Sequence, residues 1–103
     1  MTVRRPGRTP GFPYRGQFTY LLTCCTESRR PHLAEPSTAD QVLSQIRRPA
    51  ASHQFALVAY CFMPDHLHLV VEGLSSDSDL QRFAASFKQH SGYRHQRRRG
   101  VLL

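Results

Sequence analysis

The chain has 103 residues, enough for one domain and too few for two. A hydrophobic fraction of 40% argues against wholesale disorder, and no apolar run approaches the length needed to cross a bilayer. The formal charge is +7, from 14 Lys and Arg against 7 acids, which excludes an acidic, solvating chain and leaves a polyanionic partner and a merely solvated basic surface both open.

The charge is unevenly placed. Four arginines precede Glu27, the first acid, and six basic residues follow Asp79, the last one. Two basic ends around a less charged middle suit nucleic acid; a solvated basic tail that binds nothing specific has the same composition. The opening MTVRRPGRTPGFPYRG has arginines but no apolar segment behind them, so it is not a secretory signal. Pro6, Pro10 and Pro13 would break the amphipathic helix of an organelle transit peptide. The three cysteines, Cys24, Cys25 and Cys61, have no paired spacing, which fits a reducing cytoplasm; all lie in apolar stretches and are expected to be buried free thiols.

In chain order, residues 1–16 read as an extended basic arm held open by Pro and Gly. Gln17 to Cys25 is rich in β-favouring residues and predicts a first strand. After a loop, Ser37 offers a helix cap with Asp40 in capping-box position, and Ala39, Val42, Leu43 and Ile46 share one face of a helix over 38–48 that Pro49 is expected to stop. Gln54 to Phe62 is nearly all apolar and predicts a strand covered on at least one face, with Tyr60 as core. Met63, Pro64 and Asp65 make a tight turn into a strand from His66 to Glu72, so 54–72 reads as a hairpin. Ser76 and Asp79 then cap a second helix whose Leu80, Phe83, Ala84 and Phe87 line one side, with Gly92 as its stop. The order β-α-β-β-α predicts an α+β fold of the ferredoxin-like split β-α-β kind, with an antiparallel sheet. Its last strand has only Val101 to Leu103 to supply it, so the unit reads as incomplete at the C-terminus. The expected division is a basic arm over 1–16, a core over 17–92 and a basic tail over 93–103.

The pattern His66-Leu67-His68 carries the chemistry. Alternate side chains of a strand share a face, so the two imidazoles point the same way, about 7 Å apart along the strand. Such a pair can hold one metal ion from a stiff platform, with Leu67 and Leu69 anchoring the other face. Two exposed polar residues would give the same pattern. Two ligands are also too few, so a third protein group or a substrate phosphate must complete the shell.

The run Ala59-Tyr60-Cys61-Phe62-Met63-Pro64-Asp65-His66-Leu67-His68-Leu69-Val70-Val71 strongly resembles the signature of the small HUH single-tyrosine transposases, in which U is the hydrophobic residue between the histidines. The closest branch is the REP-associated tyrosine transposases, relatives of the insertion-sequence-200-type enzymes. The segment Gln17 to Leu33 is similar to their first strand and basic loop, and Phe87-Lys88-Gln89 to the lysine-bearing stretch of their second helix. The resemblance implies DNA transposition. A tyrosine attacks a phosphorus of single-stranded or hairpin DNA, becomes joined to the 5′ phosphate and releases a 3′ hydroxyl; reversal joins new ends. It also implies a divalent ion, Mg or Mn, held by His66 and His68, and work as a monomer or a homodimer.

The resemblance implies, too, that the tyrosine lies on a further helix, with a glutamine that completes the metal shell. The chain is therefore expected to lack the nucleophile. Tyr93, with Gln96 three residues on, is the single late candidate, and its place directly after Gly92 argues against that role. Gln89 is a further, weaker candidate ligand. Lys88, Arg94, Arg97, Arg98 and Arg99 are the expected DNA contacts, pairing with phosphate while Tyr93 or His95 stacks on an unpaired base. Two other readings remain at this point: a DNA-binding module that does not cut, and a small protein whose histidine pair holds a structural metal.

Overall fold

A computed structural model of the chain describes residues 1–4, 14–100 and 103, with the side chains at 3, 4, 93, 94 and 97–99 outside that description. The elements are β1 (Thr2–Arg4), β2 (Thr19–Cys25), α1 (Pro36–Ser52), β3 (Phe55–Met63), β4 (His66–Gly73) and α2 (Leu80–Arg99). Two 3-10 turns, Glu27–Arg29 and His32–Ala34, follow β2. The four strands form one antiparallel sheet in the order β1-β2-β4-β3. The fold is α+β, with the predicted β-α-β-β-α order running from β2 to α2.

Hydrophobic alternation decides which face the helices cover. On β2, Tyr20, Leu22 and Cys24 are buried; on β4, Leu67, Leu69 and Val71 are. Their neighbours at even positions of β4 and odd positions of β2 point to the opposite, open face. Against the inner face lie Val42, Ile46 and Ala50 of α1 and Leu80, Phe83 and Phe87 of α2, and together they make the core.

The N-terminal arm differs from expectation. Residues 2–4 form a strand that pairs with β2 through Thr2–Cys25, Val3–Cys24 and Arg4–Thr23. It takes the place beside β2 that a last strand of a split β-α-β unit would occupy. Of the rest of the predicted arm, residues 5–13 lie outside the described residues, while Tyr14 packs against the core and Arg15 bridges to Asp79.

Both helices run past their predicted stops. Pro36 suits the first helical position, where its missing N–H costs nothing, so α1 begins there and Glu35 becomes its cap residue. Ser37 is then inside the helix and donates to Glu35 Oε1 at 2.8 Å. Pro49 lies within the last turn and is buried; the helix goes on to Ser52, because a proline this near the end removes a single hydrogen bond. In α2, Asp79 caps the helix by accepting from the Arg82 N–H at 3.2 Å. Gly92 does not end it. The buried stripe continues through Ser91 and His95, and Gly100 in left-handed conformation (φ 75°) closes the helix by donating to the Gln96 carbonyl at 2.8 Å.

β3 is also less buried than its composition predicts. It is an edge strand with a bulge at Val58, where the register with β4 slips between Leu57 and Ala59. Only Phe55 is buried, Tyr60 is 46% exposed, and Cys61 is exposed rather than a buried thiol. Apolar composition alone does not report burial, because it does not say whether a strand lies at the centre or the edge of the sheet.

Candidate metal centre on the open face of the sheet

β4 is hydrogen-bonded on both sides, to β2 and β3, so side chains that leave it stand on the stiffest part of the sheet. His66 and His68 leave it on the open face, opposite the helices, and both are partly exposed. Their ring centroids are 4.9 Å apart with the planes at 81°. The rings therefore lean together from the wider spacing that the strand sets at its Cα atoms.

Each imidazole is pinned at one nitrogen. His66 Nδ1 lies 2.8 Å from Asp65 Oδ1, and His68 Nδ1 lies 3.1 Å from Thr23 Oγ1. The Thr23 contact follows from register, since Thr23 on β2 faces His68 directly. Asp65 is held in turn. Its second oxygen takes the Nε–H of Arg29 at 2.9 Å, and Arg29 Nη1 also reaches Cys25 Sγ at 3.4 Å. Hydrogen bonds from His66 and Arg29 hold the Asp65 carboxyl below the usual range, and the same contact raises Arg29 further.

With both Nδ1 atoms engaged, Nε2 of each ring is left for a ligand. That is the arrangement by which proteins orient metal-binding histidines: an outer partner at one ring nitrogen, the ion at the other. The donor set fits a divalent cation. It is incomplete by itself, because among the described residues no three His, Cys, Asp or Glu side chains gather into a site. Cys25 faces His66 across the register, but is buried and turned to Arg29.

Sequence reasoning located His66 and His68 and passed over Thr23, Arg29 and Asp65. Thr23 is 45 residues from His68 and Arg29 is 36 from Asp65, so no local pattern joins them. Asp65 did sit next to His66, and read only as a turn former.

The expected DNA contacts are distributed along α2. Lys88 and Gln89 are exposed. Arg94, Arg97, Arg98 and Arg99 occupy its last turns, their side chains outside the described residues. These turns belong to the same end of the sheet as the histidine pair. The rings of His95 and His32 are 4.8 Å apart, which joins α2 to the loop after β2. That loop is tied to the β3–β4 turn by Leu33 N–H to Pro64 O at 2.9 Å and Thr26 N–H to Asp65 O at 3.1 Å. A cavity of about 140 Å³ lies at the other end of β4, lined by residues that include Arg15, Gln54, Asp79 and Arg82. It has no part in the histidine site.

None of the tyrosines whose side chains are described is brought to the histidines. Tyr20 is in the core, where burial raises its phenol, and Tyr14 packs against that core. Tyr60 is paired with Leu69, on the face away from His66 and His68. Tyr93 lies within α2, with its side chain outside the described residues.

Residues 15–101 match the family described as transposase IS200 like. The chain belongs to the IS200-like transposase family. Two solved structures share the fold. One is a crystal structure assigned as a transposase from Deinococcus radiodurans R1, with a TM-score of 0.69 and 24% identity, covering 90% of this chain and 70% of that one. The other is a REP-associated tyrosine transposase bound to a REP hairpin, with a TM-score of 0.69 and 16% identity, covering 92% of this chain and 54% of that one. This IS200-like chain thus spans just over half the length of the hairpin-bound protein. No curated protein matches it.

Proposed function

We propose that this IS200-like transposase chain binds single-stranded or hairpin DNA and holds a divalent cation between His66 and His68 beside a phosphodiester of that DNA. The observation that carries the reading is the pair of imidazoles on one open face, each pinned at Nδ1 and each with Nε2 left over. Oxygen atoms of the DNA phosphate would complete the shell that two nitrogens begin. A bound ion would polarise the non-bridging oxygens and offset charge developing on the phosphate. Nitrogen ligands are comfortable for Mn and unusual for Mg, so Mn is the better probe.

The protein's own contribution is position and charge. β4 sets the spacing of the rings. Arg94, Arg97, Arg98 and Arg99 on α2, with Lys88, would neutralise backbone phosphates at the same end of the molecule. The hairpin on the REP-associated neighbour makes a hairpin the substrate to try first. Strand cleavage through a 5′ phosphotyrosine is the chemistry the family resemblance implies. No described tyrosine side chain shares the face of the histidines, so we expect this chain by itself to bind without forming the covalent adduct.

The test uses a labelled hairpin oligonucleotide with and without Mn. Binding strengthened by Mn, and insensitive to Mn in His66→Ala and His68→Ala, supports the reading. Binding that ignores the metal in the unaltered chain removes it. A denaturing gel of the same mixtures addresses cleavage: a covalent band that Tyr93→Phe abolishes would make Tyr93 the nucleophile and overturn the expectation of binding alone.

A further inference from the structure

The loop after β2 is built in a way that its own sequence does not require. Ser28 and Arg29 both adopt left-handed backbone (φ 53° and 55°), a conformation that costs non-glycine residues energy and that surrounding structure must hold. It is held by Arg29 N–H to Thr26 O at 3.1 Å, Arg30 N–H to Glu27 O at 3.2 Å and the Thr26 hydroxyl against Arg30 O at 2.6 Å. This strained turn places the guanidinium of Arg29 on Asp65, with its Nη1 also against Cys25 Sγ. Asp65 is gripped at its backbone by the same loop, through Thr26 N–H to Asp65 O.

We propose that Arg29 and Asp65 are positioning residues for His66: Asp65 Oδ1 accepts the Nδ1–H of His66, so that the Nε2 lone pair faces the open side of the sheet, and Arg29 holds the carboxylate in the orientation that does this. The proposal rests on the reading of His66 as a metal ligand. Its two distances, 2.9 Å from Arg29 to Oδ2 and 2.8 Å from Oδ1 to His66, use one carboxylate oxygen each. A carboxylate with both oxygens hydrogen-bonded is restrained from turning away from the ring. An ionised carboxylate accepts and never donates, so the proton of a neutral His66 is driven to Nδ1. His68 is different: its partner is the Thr23 hydroxyl, which can donate or accept and so does not choose the tautomer.

The difference gives a test that needs no metal. In ¹⁵N-labelled, metal-free protein, at a pH where both rings are neutral, two-bond ¹H–¹⁵N spectra report which nitrogen of each histidine carries the proton. His66 is expected as the Nδ1–H form. Asp65→Ala is expected to return it toward the Nε2–H form that a free imidazole favours, with His68 unchanged. Arg29→Ala, a change at a side chain 58% exposed that leaves the core intact, is expected to give a mixture of the two forms. Amide spectra check that each variant is folded. Finding His66 as Nε2–H in the unaltered chain, or still wholly Nδ1–H in Asp65→Ala, overturns the assignment of Asp65; no change in Arg29→Ala overturns that of Arg29. Mn titration of the same samples is the second arm. Both variants are expected to bind Mn about 10- to 100-fold more weakly, the usual effect of losing an outer partner of a ligand. If Mn broadens neither ring of the unaltered chain, the metal reading fails, whatever the tautomer shows.

Discussion

Gly73 sits where the end of β4 passes under the turn that precedes β2. A Cβ there would overlap the Gly16 carbonyl oxygen and press on Ser78 Cβ. The obstacle is backbone, which cannot rotate away as a side chain would. Gly73→Ala is therefore expected to destabilise by about 1–3 kcal/mol or more, read from the urea midpoint. Gly92 is the contrast, because a Cβ there meets nothing within 4 Å and the residue lies inside α2. Gly92→Ala should stabilise by about 0.5–1 kcal/mol in the same measurement, through the entropy that glycine loses in a helix. Asp79 gives a pH-dependent case. Burial alone would raise its carboxyl, but hydrogen bonds from Arg15 and the Arg82 N–H outweigh that and bring it below the usual range. A folded-state pKa below the unfolded one stabilises above the ordinary carboxylate range and is lost as pH falls through the lowered value. Asp79→Asn should accordingly flatten the acid side of the stability profile. Asp79→Ala, which also removes the cap, should cost about 1 kcal/mol at neutral pH.

At the scale of elements, the segment from Thr26 to Ala34 is the joint that brings distant parts of the chain to the histidine end. It reaches the β3–β4 turn, α2 and the carbonyl of Leu103. Thr26 is its anchor: buried, with its hydroxyl 2.6 Å from Arg30 O and 3.1 Å from Asp65 O. Thr26→Val keeps the shape and removes the hydroxyl, so it should cost about 1 kcal/mol and speed amide exchange at Leu33. Exchange at Leu33 as slow as in the unaltered chain would show that the backbone contacts suffice. Helix and strand types followed from periodicity, as at Leu80, Phe83, Ala84 and Phe87. Their ends did not. Pro49 and Gly92 are recognised breakers, yet packing of Ala50 in one helix and of Ser91 and His95 in the other carries the backbone past them.

For the whole molecule, the charge of +7 and its concentration at the two ends predict an electrostatic mode of DNA binding. Affinity for a hairpin oligonucleotide should fall linearly on a log–log plot against salt. Replacing Arg97, Arg98 and Arg99 by Ala should shallow that slope by about 0.7–0.9 for each phosphate that is no longer neutralised. An unchanged slope would place the DNA elsewhere on the surface. Family membership rests on the match over 15–101, and the two solved neighbours independently show the same fold at low identity.

The sequence by itself determined that His66 and His68 share a face, because strand alternation is a property of the backbone. It determined equally that Leu67, Leu69 and Val71 anchor the other side, and that the chain carries a strong positive charge at both ends. Only the tertiary structure decided what grips the histidines. Thr23 comes to His68 through the register of β2 on β4, and Arg29 comes to Asp65 through a strained loop. Those pairings join residues 36 and 45 positions apart, and a pairing at that range is fixed by how the sheet closes, which no local pattern encodes. It also decided that residues 2–4 of the proline-rich arm form an edge strand, since an unpaired edge beside β2 accepts whatever segment can reach it.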